Sequence, residues 1–120
     1  MQRPSKQVSP VLEEHFRFLL WLVPALERFP RSQRLLLGDR IQTLGQEVLE
    51  CLIEANYSRE RRHHLARANM ALDKLRYFIR MAVELKHLDH RRYEFAARSI
   101  DEIGRQIGGW MKASHAEAPR

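Results

Sequence analysis

The sequence has almost no cysteine and no long hydrophobic run. Cys51 is the only cysteine among 120 residues, so the chain cannot form an internal disulfide, and a reducing compartment is expected. The apolar run at residues 18–26 is too short to span a bilayer, and no small-residue cleavage site follows it. These absences predict a soluble cytoplasmic protein with no membrane partner.

The sequence also lacks the patterns that accompany catalysis, metals or cofactors. It has no glycine-rich phosphate loop, no nucleophile elbow and no paired inward carboxylates. His63 and His64 lie at the start of a predicted helix and His87 and His90 beyond its end. At ~1.5 Å per residue that helix keeps the two pairs more than ~30 Å apart, too far to share a metal ion. Cys51 has no neighbouring base and is predicted to be a core residue. We therefore expect no enzyme activity, no metal and no cofactor.

Four amphipathic helical segments account for most of the chain. The first begins at Pro10, with Ser9 as a hydroxyl cap, and is closed by Pro30. The others are predicted at about 32–55, 59–86 and 90–113, with Asp89 as a cap for the last. The predicted stripes are Leu37, Ile41, Leu44, Val48 and Leu52; Leu65, Ala68, Leu72, Leu75, Ile79 and Ala82; and Tyr93, Ala96, Ile100, Ile103, Ile107 and Trp110. Short connections predict an all-α, antiparallel up-down-up-down four-helix bundle over 10–113, with flexible segments at 1–9 and 114–120.

The first helix is apolar around most of its circumference. Its predicted core stripe, with 4-3-4-3 spacing, is Leu12, Phe16, Leu19, Val23 and Leu26, and Pro24 predicts a kink. A corner helix that is apolar on every side indicates burial against a second subunit. The predicted interface residues are Phe18, Trp21, Leu22 and Pro24.

All five glycines fall inside predicted helices, where each costs about 0.5–1 kcal/mol relative to alanine. Gly38 and Gly45 are seven residues apart, and Gly104 and Gly108 are four apart. Both spacings allow another helix to approach closely. Two explanations stay open at this point: tight packing inside the bundle, or a subunit interface.

The charge is basic and comes mostly from arginine. Lys plus Arg number 21 and Asp plus Glu 15, for a formal net charge of +6. Arginine is well suited to phosphate and carboxylate partners, and a basic chain attracts polyanions.

The basic residues repeat along two helices. On the fourth helix they recur every seven residues, close to two turns, and so form a line along one edge. Five phosphate contacts would give a slope of log affinity against log salt of about −4.5. The alternative is that Asp73, Glu94, Asp101 and Glu102 neutralise the line through pairs three or four residues apart. The predicted binding residues are Arg67 and Lys74 on one face of helix three, Arg76 and Arg80 on another, and Arg91, Arg98, Arg105 and Lys112 on helix four.

Three segments resemble a known family. The sequence IGRQIGGW at 103–110 resembles the last helix of Avd, the accessory variability determinant of diversity-generating retroelements. Pro24 followed by FPR at 29–31 resembles the exit of that family's first helix. LDKLRYFIR at 72–80 resembles its third helix, including the arginine pair Arg76 and Arg80. The resemblance covers roughly residues 12–112, and the wider superfamily contains four-helix-bundle proteins encoded in intervening sequences of bacterial ribosomal RNA genes.

The resemblance implies a function. Avd proteins form a pentameric barrel of four-helix bundles and associate with a reverse transcriptase, and together these make mutagenised cDNA from a template-repeat RNA. Avd itself does no chemistry and supplies a basic surface to polymerase and nucleic acid, RNA or DNA. Arg76 and Arg80 are the positions that the motif match carries over. Two alternatives remain open: a bundle protein of the ribosomal-intervening-sequence type, or a structural oligomer with solvated arginines.

Overall fold

Four long helices form the chain, in a computed structural model that describes residues 8–116, with side chains for 8–114. The second is continuous but irregular at its start. Its first turn is Arg31–Gln33, a π-helical turn follows at Arg34–Gly38, and regular α-helix runs over Asp39–Tyr57. The bounds are α1 Pro10–Leu26, α2 residues 31–57, α3 Arg61–Glu84 and α4 His90–Ala116.

The four-helix prediction is confirmed, and the described residues contain no strand. α4 runs three residues past its predicted end at Ala113. The predicted flexible segments fall largely on residues 1–7 and 117–120, which lie outside the described residues.

The helices pack as an antiparallel bundle in which each contacts two neighbours. α1 lies against α2 and α4, and α3 against the same two. The predicted stripes of α2 and α3 are buried throughout, and that of α4 is buried or half-buried. α1 and α3 therefore occupy opposite corners of the bundle.

The predicted core stripe of α1 is wrong in part. Phe16 is 45% exposed, whereas Phe18 and Leu22, predicted to face away from the core, are 4% and 2% exposed. The buried face also contains His15, which is fully enclosed. A polar residue at a core position conceals the true stripe, because the apolar residues on either side of it fit more than one helical face.

This burial corrects the predicted subunit interface. Phe18 and Leu22 belong to the core of their own chain and are unavailable to a second one. Trp21 is half-buried, its ring centroid 4.6 Å from that of Phe95. Pro24 is exposed within the last turn of α1, and the neighbouring Leu20 is 60% exposed. The outward face of α1 therefore carries Phe16, Leu20 and Pro24.

Of the two predicted helix caps, the one at Asp89 is confirmed and the hydroxyl cap at Ser9 is wrong. Ser9 is the N-cap of α1, but its hydroxyl makes no capping bond, and its backbone N–H donates to Asn56 Oδ1 at 3.0 Å. Asp89 caps α4 as predicted, since Oδ1 accepts the Arg92 N–H at 2.8 Å. That backbone hydrogen bond lowers the pKa of Asp89. Lys86, two residues past the end of α3, lies in the left-handed region, at φ 67°.

Two explanations were left open for the glycines, packing inside the bundle and a subunit interface, and the glycines differ in which one they fit. A Cβ at Gly45 would lie 2.7 Å from Leu19 Cδ2, so this glycine lets α1 and α2 approach closely. A Cβ at Gly104 would meet Leu72 Cδ2 at 3.4 Å. Among the described residues, nothing outside the helix's own backbone lies within 4 Å of such a Cβ at Gly108 or Gly109. Packing inside the bundle thus explains Gly45 and does not explain Gly108 or Gly109.

Cys51 is buried in α2, which confirms its prediction as a core residue. Burial raises the pKa of its thiol, because the thiolate is poorly solvated there.

Candidate nucleic-acid interface

The four basic residues of α4 that recur every seven positions are exposed, and their spacing keeps them on its outward face. Arg91, Arg98, Arg105 and Lys112 are each solvent-exposed. At ~1.5 Å per residue the spacing between neighbours is about 10.5 Å, and the line is about 31 Å long. We call these four residues the α4 line.

One member of the α4 line is neutralised by its own helix. Arg105 Nη2 lies 2.5 Å from Glu102 Oε2 and Nε lies 3.1 Å from Oε1, a two-pronged pair. This hydrogen bonding lowers the pKa of Glu102 and raises that of Arg105. Gln106 also donates to Glu102, at 2.9 Å, and to Glu14 on α1, at 2.7 Å. Arg105 is therefore a weak candidate for phosphate.

The two arginines of the family motif, Arg76 and Arg80, lie in different environments. Arg76 pairs with Asp101 across the α3–α4 interface and lies 3.8 Å from Asp73 on its own helix. Its side chain is partly buried beside Gly104. Arg80, one turn further on, is exposed. Arg76 ties two helices together, whereas the charge of Arg80 is available.

The other edge of α3 faces acidic residues. Arg67 Nη1 lies 3.4 Å from Glu54 Oε1 on α2. The helices are antiparallel, so Lys74, seven residues after Arg67, faces the part of α2 near Glu47, seven residues before Glu54. Arg67 and Lys74 therefore lie along an acidic edge, which weakens their attraction for a polyanion.

Four of the predicted binding residues lie away from this acidic edge and form no ion pair among the described residues. Within residues 8–114, no carboxylate oxygen lies within 4 Å of any of them. Because Arg76 faces Asp101, Arg80 faces the turn of α4 around Ala97, beside Arg98. Glu94, which lies three residues from Arg91 and four from Arg98, forms no ion pair with either of them. We call these residues the free basic set: Arg80, Arg91, Arg98 and Lys112.

A basic cavity lies beside Arg91, at the end of the bundle where α3 turns into α4. It has a volume of about 580 Å³. Its charged and titratable walls are Arg28, Lys86, His87, Asp89, His90 and Arg92. Asp89 pairs with Arg92 at 2.6 Å, leaving Arg28 and Lys86 unpaired among the described residues. Sequence reasoning missed this cavity because Arg28 reaches it from the turn after α1, and only the packing of α1 against α4 brings the two segments together.

The described residues contain neither a cluster of metal ligands nor a membrane-spanning helix. Across the described residues, no three His, Cys, Asp or Glu side chains come together as a metal site would require. None of the described helices is both long and apolar enough to cross a membrane.

Comparison with known families agrees with the resemblance in the sequence. The model of the bAvd-like family matches residues 11–114. The chain belongs to the bAvd-like family. The match begins at the second residue of α1 and ends in the last turns of α4, so it covers the whole bundle. No curated protein matches this bAvd-like chain.

Proposed function

We propose that this bAvd-like protein is a non-catalytic accessory factor of a diversity-generating retroelement. It binds the element's reverse transcriptase and nucleic acid, template RNA or cDNA, through a basic surface, and so supports mutagenic copying. The observation that carries the proposal is the free basic set, whose four charges form no ion pair with a carboxylate of the described residues. The basic cavity next to Arg91 extends the same surface.

The free basic set replaces the larger set predicted from spacing. For single strands each phosphate contact contributes about −0.7 to the slope of log affinity against log salt, so four contacts give about −3. This slope is shallower than the slope of about −4.5 expected from five contacts with a duplex. It predicts binding that weakens by about 50-fold between 50 and 200 mM salt.

Two triple variants with equal charge test the proposal. Changing Arg80, Arg91 and Arg98 to Gln removes three free charges, and we expect the salt slope for a single-stranded RNA to fall by about 2. Changing Arg67, Arg76 and Arg105 to Gln removes three paired charges, and the slope is expected to fall by less than 1. Fluorescence anisotropy of a labelled RNA across salt concentrations measures both. An equal fall in the two variants would contradict the free basic set as the contact surface.

A protein partner needs apolar contacts as well as charge, and the outward face of α3 has exposed apolar residues. Met70, Tyr77 and Met81 are exposed there, between Lys74 on one edge and Arg80 on the other. An apolar strip with basic edges suits an acidic surface of a polymerase better than a phosphate chain. Co-purification of the reverse transcriptase with Tyr77→Ser, compared with Phe16→Ser on α1, tests this placement: loss with the first change alone supports it, and equal retention contradicts it.

We also propose a homo-oligomer, with the pentamer of the Avd family as its form. The support is the outward face of α1, where Phe16, Leu20 and Pro24 are exposed. Leu35 and Leu36, at the π-helical turn that follows α1, are exposed as well.

A further inference from the structure

A second cavity lies at the opposite end of the bundle from the basic cavity. It has a volume of about 430 Å³ and is formed where α1 and α3 begin and α2 and α4 end. Its polar and aromatic walls are Asn56, Arg61, Gln106 and Trp110, with Gly109 beside them. We call it the Trp110 cavity.

Asn56 brings a buried, unused hydrogen-bond donor to this cavity. The residue is 4% exposed, and Nδ2 has no partner among the described residues. The orientation of the amide is fixed, because Oδ1 accepts the Ser9 N–H at 3.0 Å. An unpaired buried donor costs about 1–3 kcal/mol. A ligand that brings an acceptor to Nδ2 would recover that cost.

Arg61 and Trp110 supply a cation and an aromatic surface side by side. The guanidinium carbon of Arg61 lies 5.6 Å from the centre of the Trp110 ring. Arg61 Nε donates to Ser58 O at 3.3 Å, and none of its nitrogens is within 4 Å of a carboxylate of the described residues. Arg61 is also the one charged residue among the described lining residues. The described lining of the cavity is therefore positive and includes no acidic residue.

Gly109 opens the cavity toward the α4 line. It is exposed and lines the cavity, and a Cβ there would meet nothing within 4 Å. In sequence it lies between Arg105 and Lys112, so the line passes the mouth of the cavity. The missing side chain leaves that passage clear.

We propose that the Trp110 cavity holds one nucleotide of a single-stranded RNA lying along the α4 line. The base packs against Trp110, an acceptor on the base pairs with Asn56 Nδ2, and the phosphate pairs with Arg61. Stacking on an aromatic or guanidinium plane is how proteins hold unpaired bases. A purely apolar ligand would leave Asn56 and Arg61 unused, and an acidic peptide would leave the indole unused. The ligand class rests on the proposed nucleic-acid function.

Trp110 fluorescence tests the proposal in the full-length chain. Trp21→Phe makes Trp110 the only tryptophan, because the sequence has two. We expect hexauridylate to quench Trp110 in a saturable way, and uridine monophosphate to do so more weakly. Arg61→Gln should weaken hexauridylate binding about tenfold, and the matched change Arg62→Gln, an exposed arginine next to it, less than threefold.

A second variant guards against a folding effect at Arg61. Gly109→Leu places a side chain at the mouth of the cavity, where the backbone has room, and should reduce quenching with an unchanged circular dichroism spectrum. Absence of saturable quenching in the full-length chain, including the case in which its own terminal residues fill the cavity, would overturn the proposal. Equal losses in Arg61→Gln and Arg62→Gln would overturn it as well.

The failure of this inference is distinguishable from that of the proposed function. Salt-dependent binding of long RNA without Trp110 quenching would leave the proposed function standing and remove the cavity from it. Quenching that survives in the Arg80, Arg91 and Arg98 triple variant, together with unchanged long-RNA binding, would support the cavity and contradict the free basic set.

Discussion

At the scale of the residue, His15 has the most unusual environment in the bundle. It is fully buried in α1, and its Nε2 lies 2.9 Å from the carbonyl oxygen of Gly45. Neutral imidazole donates this bond. Burial lowers the pKa of His15 to about 4, because the charged ring would be poorly solvated, while the bond to Gly45 acts in the opposite direction.

The lowered pKa predicts a loss of stability in mild acid. In the unfolded chain His15 has a pKa near 6.5, so between pH 6.5 and 4 the unfolded state binds the extra proton. The contribution of His15 is complete above pH 6.5 and declines as the pH falls toward 4. We expect the free energy of unfolding to drop by about 2 kcal/mol between pH 7.5 and 5, measured by urea denaturation.

The control for this prediction is His15→Leu, which keeps an apolar group of similar size in the core. The variant should lose most of the pH dependence above pH 5, whatever its absolute stability. An undiminished pH dependence would place its origin in another group.

Residue identities also show where sequence reasoning fails. Cys51, the capping role of Asp89 and the stripes of α2 to α4 could be predicted, because each depends on local spacing or on a single residue type. The neutralisation of Arg76 by Asp101 could not, since it depends on the register between α3 and α4. The missing partner of Asn56 Nδ2 likewise becomes visible only when α1 and α2 meet.

At the scale of the element, the glycines of α2 and α4 differ in how closely a neighbouring helix approaches them. Gly45 sits where Leu19 of α1 approaches too closely for a side chain. Gly108 and Gly109 sit where α4 has open space around it. The helical propensity cost is the same at all three positions, but among the described residues only Gly45 has a neighbour that a side chain would meet.

Alanine substitution is therefore expected to have opposite effects along the chain. Gly45→Ala should destabilise by about 1–3 kcal/mol, because the added Cβ must displace Leu19 or move α1. Gly108→Ala and Gly109→Ala should each stabilise the monomeric bundle by about 0.5–1 kcal/mol, the gain in helix propensity. Chemical denaturation measures all three. Destabilisation by Gly108→Ala would show that its backbone contacts another chain.

The helices themselves illustrate what a pattern can and cannot specify. In α2 to α4 the apolar residues recur every three or four positions along one face, so their buried faces are predictable. α1 has apolar residues on nearly every side and a histidine on its buried face, so the pattern fits two faces. Tertiary packing against Gly45 selects the one that contains His15 and exposes Phe16.

At the scale of the whole molecule, the exposed face of α1 and the net charge act against each other. Five chains of +6 would give a particle of formal charge +30, so assembly must overcome mutual repulsion. The apolar contact of Phe16, Leu20 and Pro24 is the attraction available on α1. We therefore expect assembly to become tighter as salt rises, opposite to the behaviour of RNA binding.

A charge placed on α1 is expected to dissociate the oligomer. Wild-type protein should have about five times the 14.3 kDa mass of one chain in analytical ultracentrifugation at micromolar concentration. Leu20→Glu should reduce it to the mass of one chain. Met70→Glu on α3 is the matched control, since Met70 is 59% exposed and Leu20 is 60%, and it should leave the mass unchanged. A wild-type monomer, or equal dissociation by both changes, would rule out α1 as the contact.

The enclosed position of Cys51 has a practical consequence. A thiol that is shielded from solvent and held in its protonated form reacts slowly with maleimides. A new cysteine on any exposed position of α3 or α4 would then be the only fast-reacting group, so a fluorophore could be attached there without first removing the native one.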